Sequence, residues 1–151
     1  MENSKLTVIG APDSVKGTVS AEEVATAIAE GVLAADGEAD IGPLADGGEG
    51  TMRTLVSSVG GTTRSVTVSD PLGRPVEADF GLIENGSTAI VEMAEASGMG
   101  LVKPEERDAE AASTFGTGEL LVAAATTGAK RILVAVGGSA TTDGGAGPVP
   151  Y

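Results

Sequence analysis

Apolar positions along the chain recur with two different periods. Lys5 to Ile9 is a short β-rich run that empties into Gly10-Ala-Pro-Asp-Ser-Val-Lys-Gly17, where Pro12 has no N–H and Gly17 permits a tight turn, so a strand followed by a loop is predicted. Ser20 and Glu23 have the spacing of a capping box, and Val24, Ala27, Ile28, Gly31 and Val32 fall on one face of a helix that fades at Asp36-Gly37. Strand, polar loop and amphipathic helix open a β-α-β unit. A weaker strand around Ala39 to Ile41 leads into Pro43-Leu-Ala-Asp-Gly-Gly-Glu-Gly50, with Glu49 where a helix would begin. Met52, Leu55, Val56 and Val59 give that helix an apolar stripe, closed by Gly60-Gly61.

From Thr62 the period becomes two. Thr62 to Ser69 alternates and is β-rich, Asp70-Pro-Leu-Gly73 has turn chemistry, Val76 to Ile83 is another strand, and Asn85-Gly86 signals a hairpin into Ala89 to Glu92. An irregular connector follows, through Ala94 to Gly98 and the charged Lys103 to Asp108. Thr114-Phe-Gly-Thr-Gly118 opens a helix that closes at Gly128, and Ile132 to Val136 reads as a buried strand. The meander differs in kind from the opening unit, which places a boundary near residues 60–72 and divides residues 1–65 from 66–151.

Composition narrows the chemistry. Hydrophobic residues make up 41% of the 151 but aromatics only 2%, so any core must be built from Ala, Val, Leu and Ile. With no cysteine and no histidine, disulfides, thiolate sites, His-ligated zinc and a His base are all excluded. A net charge of −13 excludes the basic face that nucleic acid requires. No run reaches membrane-span length and no basic-then-apolar leader opens the chain, so no membrane partner is expected and a cytoplasmic location is the default.

What remains is Asp, Glu, Lys, Arg, Ser, Thr and backbone amides, concentrated in three glycine-rich loops. Gly137-Gly-Ser-Ala-Thr-Thr-Asp-Gly-Gly-Ala-Gly147 follows a strand and offers close backbone approach, N–H groups for an anion, and hydroxyls on Ser139, Thr141 and Thr142. Neither a complete G-x-x-x-x-G-K-[ST] nor a complete G-x-G-x-x-G is present. Lys16 is either a surface salt-bridging lysine or a phosphate clamp, and Asp13 and Asp46 alone are equally well turn formers. At the carboxyl ends of separate strands, Asp13, Lys16, Asp46, Glu49 and Asp143 form a constellation suited to Mg²⁺ and phosphate. The residues alone reach a small anionic ligand and phosphoryl transfer.

Six segments extend this. Ala11-Pro-Asp-Ser-Val-Lys-Gly17, Ala45-Asp-Gly-Gly-Glu-Gly-Thr51, Asp70-Pro-Leu-Gly-Arg-Pro75, Glu95-Ala-Ser-Gly98, Thr114-Phe-Gly-Thr-Gly-Glu-Leu120 and the loop from Gly137 to Gly147 resemble, in order and spacing, the bacterial glycerate kinases of the class I type. The resemblance runs from about Leu6 to Gly147, with Val15 standing where the family usually has Phe and Thr142 where it has Asn. It implies an α/β fold: an incomplete Rossmann-like three-layer first domain, then the start of a second, mixed α/β domain inserted into it. It also implies ATP- and Mg²⁺-dependent phosphorylation of D-glycerate, typically at the 2-hydroxyl. In that reading Lys16, Asp46 and Asp143 carry the catalysis, with Asp46 or Asp143 holding the metal or acting as base. Asp13, Ser14, Gly47, Gly48, Glu49, Gly137, Gly138, Ser139 and Thr141 bind substrate or phosphate.

Members of that family are more than twice this length and continue after the last loop into a helix, whereas here Pro148-Val-Pro-Tyr151 follows. The expectation is a truncated chain, with two readings of its function. It is either a glycerate kinase, or a non-catalytic remnant or anion-binding module that works with a second polypeptide. A homo-oligomer or a complementing chain is expected as partner, because helix faces such as Ala25-Ile28-Val32 and Leu55-Val59 would lack cover.

Overall fold

The computed structural model describes residues 5–15 and 18–147. They divide into two compact units, Met1–Asp46 and Gly47–Tyr151.

In the first unit, β1 (Thr7–Gly10) and β2 (Glu38–Ile41) pair in parallel, Thr7 opposite Glu38 and Gly10 opposite Ile41, joined through helix α1 (Ala21–Ala34). The capping box starts α1 as expected: Glu23 N–H donates to Ser20 Oγ at 3.2 Å, and Ser20 N–H donates to Glu23 Oε2 at 2.8 Å. A Cβ on Gly10 would lie 2.6 Å from Ile41 Cδ1, so any larger residue there would push the Ile41 side chain aside. Of the described apolar residues in this unit only Ala21 and Ala25 are buried, while Leu6 is 75% exposed. A two-stranded parallel sheet has too few neighbours to close a core.

The second unit is a three-layer arrangement. Strands β3 (Gly61–Ser69), β4 (Pro75–Ile83), β5 (Thr88–Glu92) and β6 (Arg131–Ala135) form one sheet in that order, antiparallel except for the parallel pair β5–β6. Alternation sends Phe80, Leu82, Ala89 and Val91 to one face, against Leu120 and Ala124 of helix α4 (Phe115–Thr126), with Ala96 of the one-turn helix α3 (Ala94–Ser97). Ile83 and Ile90 go to the other face, against Met52 of helix α2 (Thr51–Val59). The mixed α/β class expected from the sequence is the class observed, an incomplete parallel unit followed by a mixed sheet.

The compact division falls at Asp46, upstream of the change of period around residues 60–72. The reason is that α2 packs on the later sheet: a Cβ on Gly81 of β4 would meet Val56 at 2.6 Å and Met52 at 3.0 Å. Two turns set the hairpins. In the first, the carboxylate of Asp70 accepts the N–H groups of Leu72 and Arg74 and the Arg74 Nε, each within 2.8 Å. Arg74 reaches on to Glu106 and the Leu101 carbonyl, tying the irregular connector to the turn. In the second, Glu84, Asn85 and Gly86 all have positive φ, as the Asn-Gly signal implied for at least two of them.

Candidate functional site

The last glycine loop and the Gly47–Gly50 part of the one before it lie in the second unit, and the structure brings them together. The Gly137 N–H donates to the Gly47 carbonyl at 2.9 Å. A Cβ on Gly137 would sit 2.5 Å from Gly48 Cα, so the two backbones touch where no side chain fits. Gly138, at φ +78°, lies under the Glu49 side chain: a Cβ there would be 3.1 Å from Glu49 Oε1. Gly47 and Gly50 are both at φ +89°, and the Gly47 N–H donates to Thr51 Oγ1 in the first turn of α2. Gly47, Gly48, Glu49, Gly137 and Gly138, which come from two separate motifs, form one contiguous patch at the carboxyl ends of the parallel strands β5 and β6.

Beyond Gly138 the loop is stitched to the segment after α3. Ser139 pairs with Gly98 in an antiparallel bridge, Met99 N–H donates to the Gly138 carbonyl at 2.9 Å, and Ala140 N–H to the Ser97 carbonyl at 3.0 Å. The Ser139 hydroxyl accepts the Thr141 N–H at 3.0 Å and shares a hydrogen bond of 2.9 Å with the Thr141 hydroxyl, so both side chains shape the turn. Under them Ser97 and Thr117, both buried, share a hydrogen bond of 2.7 Å that locks α3 to α4.

Asp143 is anchored at the start of α4. Its Oδ2 accepts the Thr114 N–H at 2.8 Å, the Thr114 hydroxyl at 2.9 Å and the Ser113 hydroxyl at 3.4 Å, while Oδ1 accepts the Gly145 N–H at 3.1 Å. Burial opposes its charge, but the Thr114 donors, with the Gly145 and Gly147 amides, outweigh this and hold the carboxyl below the usual range. The carboxylate lies beside the N-terminus of α4, where the helix dipole favours negative charge. With protein donors on both oxygens, Asp143 is a structural anchor of the loop, and its Oδ1 takes the Gly145 N–H. Among the described residues no cluster of three or more acidic side chains is placed to hold a metal. A Mg²⁺ carried in on nucleotide phosphates needs only one or two protein carboxylates.

The remaining candidates belong to the first unit. Asp13 Oδ1 accepts the Ser14 N–H at 2.7 Å, a local turn, and Leu44 N–H donates to the Pro12 carbonyl at 2.8 Å, which holds the first loop beside the approach to Asp46. Lys16 lies outside the described residues.

One site residue escaped the sequence reading. Glu92, at the end of β5, is 2% exposed, and its Oε1 and Oε2 accept the Gly50 and Met52 N–H groups, each at 2.8 Å. Burial raises its carboxyl above the usual range against the pull of these two amides. The available signal was a carboxylate closing an otherwise apolar strand.

A mixed α/β protein with interlocked glycine loops at the ends of parallel strands, and neither His nor Cys, is the class that fold and site define. Comparison with known proteins makes this specific: the chain belongs to the glycerate kinase family, whose pattern matches residues 8–150. It is 47% identical over 144 residues to a protein named glycerate kinase from Bacillus subtilis (strain 168), covering 94% of this chain and 38% of that protein. It is 45% identical over 144 residues to the glycerate 2-kinase of Escherichia coli (strain K12), with the same two coverages. A solved structure described as a glycerate kinase 2 from Salmonella typhimurium LT2 superposes with a TM-score of 0.78 at 44% identity, over 96% of this chain and 39% of that one. The chain therefore spans less than two-fifths of the length of the relatives it matches. Among the described residues no helix is long and apolar enough to cross a membrane.

Proposed function

We propose that this chain carries the glycine-loop portion of an ATP-dependent glycerate kinase that acts in the cytoplasm. The observation that supports it is the interlock of Gly47–Glu49 with Gly137–Gly138, backbone against backbone, within a chain belonging to the family. In this reading D-glycerate is phosphorylated to 2-phosphoglycerate: the 2-hydroxyl oxygen bonds to the γ-phosphorus of ATP, the bond from that phosphorus to the bridging oxygen breaks, and ADP leaves. The hydroxyl proton passes to a carboxylate. In this reading that carboxylate is Asp46, which directly precedes the Gly47–Glu49 segment. Backbone amides of Gly137 to Ser139, the Thr141 hydroxyl and Lys16 stabilise the phosphoryl charge, and Asp13, Ser14 and Glu49 orient glycerate. Mg²⁺ carried in on the nucleotide phosphates would supply charge neutralisation. Calorimetry of this chain with D-glycerate and with Mg·ATP, followed by an ADP-release assay on wild type and Asp46→Asn, tests it. Binding of both ligands with turnover lost in the variant is the expected result; undiminished turnover in Asp46→Asn overturns the assignment of the base.

A second reading is favoured by one observation, the open first unit. A groove of about 530 Å³ runs between α1 and β1, lined by Leu6, Val8, Ala27, Ile28 and Val32 among others. Its apolar walls suit further strand and helix segments of a glycerate kinase chain, so the chain works together with a second polypeptide. Co-expression with the C-terminal three-fifths of the Bacillus relative, read by co-purification and turnover, tests this. Turnover by the isolated chain at the rate of a full-length relative overturns it.

A further inference from the structure

We propose that Glu92 is the positioning residue of the ligand-facing loops: it fixes the curvature of Gly47–Gly50 so that this segment can receive Gly137. The proposal rests on the reading of these loops as the binding end of a kinase. A carboxylate at the end of an interior strand, almost without solvent, is costly unless its oxygens are satisfied. Here each oxygen takes one backbone N–H, from Gly50 and from Met52, at 2.8 Å. Gly50 is at φ +89°, so the chain turns sharply at that point and both N–H groups converge on one side chain. No neutral side chain offers two such acceptors, because an amide carries a single carbonyl oxygen.

The same residue references the second loop. Glu92 is paired with Ala135 in the parallel register of β5 and β6, and the Met93 N–H donates to the Ala135 carbonyl at 2.9 Å. Gly137 follows almost at once, and its N–H meets the Gly47 carbonyl. Both loops are thus set from one point, the first through the carboxylate and the second through the backbone beside it. Glu92 is too deeply buried to touch a ligand and acts through the loop. The charged groups around it are Glu95 of α3 and Arg53 of α2, and Arg53 is itself paired with Asp79 at 3.1 Å and Glu95 at 3.8 Å.

The test compares wild type with Glu92→Gln, with Asp70→Asn as a control that loosens the β3–β4 turn elsewhere in the unit. In wild type, the amide proton shifts of Gly50 and Met52 titrate together with one midpoint, and in Glu92→Gln neither titrates. Amide exchange at Gly50, Met52 and Gly137 rises at least tenfold in Glu92→Gln and is unaltered in Asp70→Asn, and affinity for D-glycerate or Mg·ATP falls at least tenfold in the former alone. Unchanged exchange at Gly137 in Glu92→Gln overturns the proposal, as does faster exchange with unaltered affinity. If Glu92→Gln does not fold, the wild-type titration decides: separate midpoints for the two amides overturn the proposal and a shared one upholds it. Wild type that binds neither ligand sinks the kinase reading, while titration and exchange still judge the positioning role.

Discussion

Asp143 and Thr114 meet twice: one carboxylate oxygen accepts both the backbone N–H and the hydroxyl of the same threonine, at 2.8 and 2.9 Å. This pins the last glycine loop to the start of α4. Asp143→Ala is expected to lower stability by about 1 kcal/mol, since charge-assisted hydrogen bonds at a part-exposed site are lost. It should also weaken ligand binding by loosening the loop. Asp143→Asn retains one acceptor oxygen and is expected to recover part of both, measured by urea unfolding and calorimetry. Full activity in Asp143→Ala, in any chain that turns over, would show that the anchor is dispensable.

Gly137→Ala is expected to be far more damaging than Gly144→Ala. At Gly137 the new Cβ would lie 2.5 Å from Gly48 Cα, a backbone atom that cannot swing aside, whereas Gly144 has open space and only its φ of +64° to contend with. Overpacking of this kind costs about 1–3 kcal/mol, against roughly 1 kcal/mol for a left-handed alanine in the open. Comparing urea midpoints and ligand affinity of the two variants checks the ranking.

Two buried carboxyl environments pull the acid stability in opposite directions. For Asp70, burial opposes the charge but the Arg74 and Leu72 hydrogen bonds and the Arg74 charge win, so its carboxyl is depressed, as that of Asp143 is. Their contribution is present above the unfolded value of about 3.9 and is lost as pH falls through the folded one. Glu92 is raised, so the folded state binds its proton more tightly. Stability therefore falls as pH climbs from the unfolded value of about 4.3 through the raised folded one. Urea midpoints from pH 3 to 8 should show a loss at the acid end in wild type. A shallow decline above about pH 4 should disappear in Glu92→Gln. A decline that persists in the variant assigns it to another group.

Asp70 itself is 6% exposed and bonded to Arg74 at 2.6 Å. Asp70→Ala deprives the Leu72 and Arg74 N–H groups of their acceptor and the part-exposed Arg74 side chain of a partner, so it is expected to cost about 2 kcal/mol. Arg74→Ala leaves Asp70 with its backbone donors and is expected to cost less. Thermal unfolding of the two variants, followed by circular dichroism, gives the order.

The uncovered apolar surface of the first unit predicts concentration-dependent association of the isolated chain. Leu6 and Ile9 are among its most exposed large side chains, and β1 pairs on one side only within the described residues. Sedimentation equilibrium of wild type and Leu6→Lys is expected to show self-association in the first and its reduction in the second. A monomer at all concentrations would mean that this surface tolerates water.

Much of this was legible in the residues. The Ser20–Glu23 spacing gave the start of α1, Asn85-Gly86 gave the turn before β5, and the motifs grouped the glycines that meet at Gly137 and Gly48, because each of these signals is local or depends on what glycine alone permits. Two things were not legible. The place of α2 depends on Gly81, a residue on another strand, and no periodicity within the helix reports its partner. The difference between Asp143 as anchor and as ligand depends on whether Thr114 faces it, and the role of Glu92 on amides some 40 residues upstream. Sequence distance hides such pairings, and only the fold supplies them.

The close seat of α4 on β3 has a consequence in time. Gly116 lies so near the Ser69 carbonyl that a Cβ would come within 1.7 Å of it, while β3, β4 and β5 are joined by short turns and pair with their neighbours in sequence. On a growing chain those three strands can pair as they emerge, whereas β6 reaches its place beside β5 only after α4 has been made. The loop from Gly137 to Gly147 comes after all of these, and its clasp on Gly47 closes only when the sheet is whole. A nascent chain stalled before β6 would hold most of the second unit's core and still lack the contact that joins its two glycine loops.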